Sequence, residues 1–162
     1  MSARQIIDSL EKLVAFHKSF NQLAQRKTNI LKAGDTEAIS ALLIDEQKHI
    51  KAISQTDQER EAAVERFLTA NGSANQDASI STVTKFTDPL ETVALERLKT
   101  ELIEEVAQLK EQNSLNQQLI YQSLQFINVS LNMLRPQNQN MNYGKTAKKA
   151  AKSGLGMFDS KA

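Results

Sequence analysis

Leu95, Leu98, Leu102, Val106, Leu109, Asn113, Asn116, Ile120, Leu124, Ile127, Leu131 and Leu134 follow one another at steps of three and four residues. Steps of that size collect side chains on one face of an α-helix, whereas a strand alternates its faces every second residue. Asp88-Pro89 supplies the start: Asp88 can cap, Pro89 suits the first helical position, and Glu91 sits at the positive end of the helix dipole. Arg135-Pro136 supplies the end. At ~1.5 Å per residue such a helix spans roughly 70 Å. It needs partners along its length, because most helical stability comes from packing of an apolar face.

Two earlier stripes offer those partners. Ile6, Leu10, Leu13, His17, Phe20, Ala24, Lys27 and Leu31 form a heptad seam, and Ile7, Val14, Leu23 and Ile30 widen it into a face suited to two neighbours. Gly34 can take the left-handed conformation that ends a helix, and Asp35 can cap the next one. A second helix is expected over Thr36 to Ala70, with Ile39, Leu43, Ile50, Ile53, Val64 and Phe67 on one face and Leu42 and Leu68 beside it. Asp57 and Arg60 interrupt that face, either as an i, i+3 pair or as a stretch that leaves the bundle. "NGSANQDAS" at 71–79 reads as a loop. Ile80, Val83 and Phe86, three apart, then read as a short helix or an extended segment.

Five Gly, two Pro, no Trp and 5% aromatic residues fit long helices, and the lack of cysteine removes disulfides and thiolate chemistry. The expectation is an all-α protein: an elongated antiparallel bundle or coiled coil of three long helices over 1–136, and a flexible basic tail over 137–162.

The run from 112 to 134, QNSLNQQLIYQSLQFINVSLNML, contains no Asp, Glu, Lys or Arg in a chain that is 24% charged. It is long enough for a membrane span of ~20 residues. Its four Asn, five Gln and three Ser exclude that reading, because lipid offers their amides and hydroxyls no partners. An interface accounts for the composition better: desolvating a charge is costly, while Gln, Asn and Ser can hydrogen-bond a partner. Helices one and two, each roughly 45–50 Å long, leave part of the third uncovered. On this reading Leu119, Ile120, Leu124, Phe126, Ile127, Leu131, Met133 and Leu134 present apolar surface on more than one face. The plainer reading is the middle of a bundle with glutamines in water.

Other chemistries fall away. Residues 1–70 balance ten basic against ten acidic side chains, 71–134 carry four against eight, and 135–162 six against one. Scattered lysines without interleaved aromatics make a weak footprint for nucleic acid. Glu46 and His49 form one Glu-x-x-His, where a carboxylate-bridged metal bundle needs two of them and two more inward Glu. His17, on the seam, reads as a packed, hydrogen-bonded core residue. No P-loop, glycine fingerprint or nucleophile–base pair is present, so no enzyme activity, cofactor or metal is expected. The N-terminal stretch lacks a continuous apolar core and cleavage site, which points to the cytoplasm.

"NSLNQQLIYQSLQFINVSLNML", with Asn113 and Asn116 three apart and Leu119-Ile120 after them, resembles the C-terminal signature of the FlgN-type flagellar export chaperones. The Gly34-Asp35 turn, Arg60 in a charged second helix and Tyr143-Gly144 in the tail extend the resemblance over nearly the whole chain. It implies a helical chaperone without enzymatic activity that binds the C-terminal segments of hook-associated proteins, prevents their premature assembly and hands them to the cytoplasmic domain of the export gate. Carried onto this sequence, the cargo surface falls on Leu119 to Leu134 and the gate contact on Tyr143. The longer basic ending, "KTAKKAAKSGLGMFDSKA", departs from the family pattern. The alternative from another class is a structural coiled-coil adaptor that self-associates through the third helix. Stoichiometry separates the two: cargo replaces any homo-oligomer of a chaperone, whereas an adaptor self-associates most strongly alone.

Overall fold

The computed structural model describes residues 2–134, and the chain divides into two units, Met1–Ile120 and Tyr121–Ala162. All regular structure among the described residues is helical: α1 (Arg4–Ala33), α2 (Thr36–Ala70), a short α3 (Ile80–Val83) that runs into a 3-10 turn at Thr84–Phe86, and α4 (Pro89–Leu134). The tail expected over 137–162 lies outside the described residues, as does the end of the bundle expected at 136.

The helix ends are set by local chemistry. Gly34 has φ 70° and its N–H donates to Leu31 O at 3.3 Å, while the Asp35 carboxylate accepts the Ala38 N–H at 3.0 Å. Asp88 Oδ1 accepts the Glu91 N–H at 2.8 Å, with Pro89 at the first helical position where no donor is needed. The segment at 80–86 is helical, capped by Ser79, whose hydroxyl accepts the Thr82 N–H at 3.2 Å. Val83 is driven into the core and Phe86 stays on the surface. Glu91 does more than favour its own helix dipole. Its carboxylate accepts the Ala3 N–H at 3.0 Å and the Ser2 hydroxyl, capping α1, whose own N-cap residue has no side-chain hydrogen bond.

Partner order gives the directions of the helices within Met1–Ile120. From α1 to α2, Gln5 meets Arg66, Lys12 meets Glu59, Ser19 meets His49 and Lys27 meets Glu46, so the two run oppositely. From α1 to α4, Ala3 meets Glu91, Lys18 meets Glu101, Asn21 meets Glu105 and Thr28 meets Asn116, so these two run the same way. The main core joins Ile6, Leu10 and Leu13 of α1 to Val64 and Phe67 of α2, Val83 of α3, and Leu95 and Leu98 of α4. A second cluster holds Phe20, Leu23 and Leu42. The α1 seam and its flanking residues are all buried or half-buried, as a helix with two neighbours requires.

On α2 the expected face is off by one residue in its first half. Leu42 is buried, whereas Leu43 and Ile50 are exposed. The inner seam is Leu42, Glu46, His49, Ile53, Thr56, Arg60, Ala63 and Phe67, each buried or half-buried. Four of these eight carry polar groups, so a stripe drawn through apolar residues alone slides onto the outer face. Arg60 remains in the seam because its Nε pairs with Asp57 Oδ1 at 2.7 Å, which settles the interruption as an i, i+3 pair.

Candidate partner-binding surfaces

The uncharged run begins as structure. Asn116, 2% exposed, donates from Nδ2 to Ala24 O at 2.9 Å and accepts the Thr28 hydroxyl on Oδ1 at 2.6 Å. Gln112 Nε2 donates to Thr28 Oγ1 in turn. Two turns earlier, Asn21 Nδ2 donates to Glu105 O at 2.9 Å and to Glu105 Oε2 at 2.7 Å, leaving the buried Asn21 Oδ1 without a donor. Buried amides in such a chain fix register, because a slip strands each of them without a partner. Asn116 therefore holds α4 against α1, and Asn113 beside it is half-buried.

Beyond Ile120 the environment changes. In Tyr121–Leu134 every residue is exposed except Ser130, which is half-buried. Leu124, Ile127 and Leu131 are each more than half exposed, Phe126 is 73% and Met133 82% exposed, and Leu134 is similar. Leu119 is half-buried and Ile120 sits at the margin of exposure, both within the first unit. Of the eight residues expected to bind cargo, six thus lie together on the exposed helix end. Tyr121 and Val129, also more than half exposed, lie on the same helix end although the sequence reading did not name them; their place in the uncharged run was the available signal. An exposed apolar surface on an uncharged helix end is the candidate for a partner contact. Tyr143 lies outside the described residues.

A second apolar surface lies within Met1–Ile120. A cleft of about 450 Å³ opens between α2 and α4 with α1 as its floor. Leu13 and Phe20 form the floor, Ile50 and Ile53 one wall, and Leu102, Val106 and Leu109 the other. Ile50 is 48% and Val106 44% exposed, although both lie on stripes read as inward-facing. Its ionisable lining groups have partners already: His17 Nδ1 donates to Leu13 O at 2.8 Å, and Asp57 is held by Arg60. The cleft presents chiefly hydrocarbon.

Glu46 and His49 are both engaged by neighbours within the chain. Glu46 is buried and pairs with Lys27 at 3.0 Å, while His49 hydrogen-bonds Asp45 O and the Ser19 hydroxyl, each at 2.8 Å, and stacks on Phe20. Among the described residues no group of three or more His, Cys, Asp and Glu side chains could hold a metal ion. No described helix is long and apolar enough to cross a membrane.

Comparison with known proteins bears on what these surfaces serve. The chain is 38% identical over 164 residues to the uncharacterized protein YvyG of Bacillus subtilis (strain 168), a match that covers 100% of both chains. No solved structure matches. The family described as FlgN protein matches residues 1–151, which takes in all four helices. With that span matched, the chain belongs to the FlgN family, a family of flagellar export chaperones rather than enzymes.

Proposed function

We propose that this protein is a cytoplasmic chaperone that holds the C-terminal segments of flagellar hook-associated proteins on the exposed end of α4, prevents their premature assembly and delivers them to the cytoplasmic domain of the export gate. The observation that carries this reading is the row of Leu124, Phe126, Ile127, Leu131, Met133 and Leu134, exposed on a helix end that has no charge. Leu119 and Ile120 begin the surface. An amphipathic cargo helix laid along it buries apolar area at ~25 cal/mol per Å², which offsets the cost of ordering a flexible segment only when the contact is long. Gln117, Gln118, Gln122, Gln125 and Asn128 can exchange water for cargo hydrogen bonds without the penalty of desolvating an ion. In this reading α1, α2 and α4 act together as an antiparallel three-helix bundle that presents the surface, and Tyr143, outside the described residues, contacts the gate.

The test uses a purified C-terminal segment of a hook-associated protein. Leu124→Glu and Ile127→Glu should each abolish its capture while leaving the melting temperature in place, because the new carboxylate would be buried unpaired only in the complex. Glu96→Ala should bind normally. Undiminished capture by both folded variants would sink the proposed surface. Tyr143→Ala should keep cargo affinity but lose affinity for the gate domain; unchanged gate binding removes Tyr143 from the mechanism. The adaptor alternative predicts the opposite stoichiometry, self-association that cargo does not disperse.

A further inference from the structure

We infer that the cleft between α2 and α4 receives the uncharged end of α4 from a second copy of this chain, so that copies cover one another's partner-binding surface until cargo displaces them. The inference rests on the proposed cargo surface and adds a regulation to it.

The dimensions agree first. The walls run from Ile50 to Asp57 and from Leu102 to Leu109, two helical turns or roughly 10 Å each. A groove of that length takes side chains at i, i+3 and i+7 of a docked helix, the spacing of Leu124, Ile127 and Leu131.

The chemistry narrows the occupant. His17 Nδ1 and Asp57 Oδ1 are already engaged within their own chain, and the rest of the lining is chiefly apolar. Along the outer edge of α2, Gln47, Ser54, Gln55 and Gln58 stand beside Ile50, with Lys51 the charged residue in that row. On this edge of α2 a helix whose apolar stripe is flanked by neutral amides and hydroxyls fits, since a charged flank would lose hydration beside glutamines. Residues 112–134 have that composition, whereas 135–162, with six basic side chains against one acidic, do not. Both surfaces are also in the same position: the helix end exposes large side chains to water, as the cleft does at Ile50 and Val106. Bringing the two together in different copies removes both from solvent.

Light scattering on the full chain over a range of concentrations tests this, with one variant in each surface. Val106→Glu alters the cleft and Leu124→Glu the helix end; both sites are exposed in the single chain, and circular dichroism checks that each variant folds. The wild type should self-associate, each variant alone should remain monomeric at the same concentration, and an equal mixture should form a heterodimer through the one cleft and the one helix end still intact. Purified cargo segment should disperse the wild-type oligomer. Val106→Glu should capture that segment with a severalfold lower apparent Kd, because no second copy competes.

A wild type that stays monomeric, a Val106→Glu variant that self-associates normally, or a mixture that stays monomeric overturns the inference. Loss of cargo by Val106→Glu also overturns it, by making the cleft a cargo site. Self-association that follows the expected pattern in a protein that captures no cargo would instead sink the proposed function and leave the contact between copies standing.

Discussion

Leu95 and Leu131 belong to one helix and one stripe, yet Leu95 is 0% exposed and Leu131 more than half exposed. Around Leu95 the other faces of α4 carry Glu96, Arg97, Lys99 and Glu101, the usual solvated exterior, whereas around Leu131 they carry Asn, Ser, Met and Val. The first setting is a stripe with its partners in place. In the second, charge has disappeared from all faces, and every described residue from 121 onward except Ser130 is exposed. Periodicity states which side of a helix would be buried; it does not state whether anything buries it. The loss of charge on the remaining sides carries that second piece of information.

The contrast can be broken most directly by truncation at each end. Leu95→Ala should cost about 3 kcal/mol of unfolding free energy through lost burial and the cavity left behind. Leu131→Ala, measured at a dilution where the chain is monomeric, should stay within about 0.5 kcal/mol of the parent. Urea unfolding reads both, and comparable losses would mean that the exposed end is covered after all. Next in size is Lys27→Met, which leaves the buried Glu46 carboxylate alone and should cost about 2–3 kcal/mol. Adding Glu46→Leu should recover most of that loss, since the pair's own net contribution is small; failure to recover would show that the seam depends on the ion pair.

Asn116→Ala comes third, at about 2 kcal/mol, because it removes the amide that holds the Thr28 hydroxyl and Ala24 O against α4. Hydrogen exchange should show protection lost in α4 around Gln112–Ile120 and unchanged in the part of the α1–α2 hairpin distant from Thr28. A uniform change over the chain would contradict a localized role. The smallest effect is expected for Glu91→Ala, about 1 kcal/mol, read as faster exchange in the first turn of α1.

Much of the fold was legible because its signals are short-range. Gly34-Asp35 and Asp88-Pro89 each act within four residues, and the starts of α2 and α4 fall where they indicate. Partners distant in the chain left no such trace. Nothing near Glu46 shows that Lys27 will meet it, so Glu46 and His49 resemble half of a metal motif until the hairpin forms. The same blindness moved the face of α2 onto Leu43 and Ile50, since a seam with Glu46, His49, Thr56 and Arg60 in it is not an apolar stripe. The cleft was out of reach for a different reason: it is set by the spacing between two helices, and Ile50 and Val106 have the same period whether that space is filled or open.

The cap that Glu91 places on α1 also orders events in time. Ser2 and Ala3 are synthesised well before their acceptor; at ~5–20 residues per second the interval is about 4–18 s. During it α1 and α2 can already close their hairpin, from Gln5–Arg66 to Lys27–Glu46, because all of its members have been synthesised. Until residue 91 is made, the Ser2 hydroxyl and the Ala3 N–H lack this acceptor, so a nascent protein halted before that point leaves the first turn of α1 without its cap.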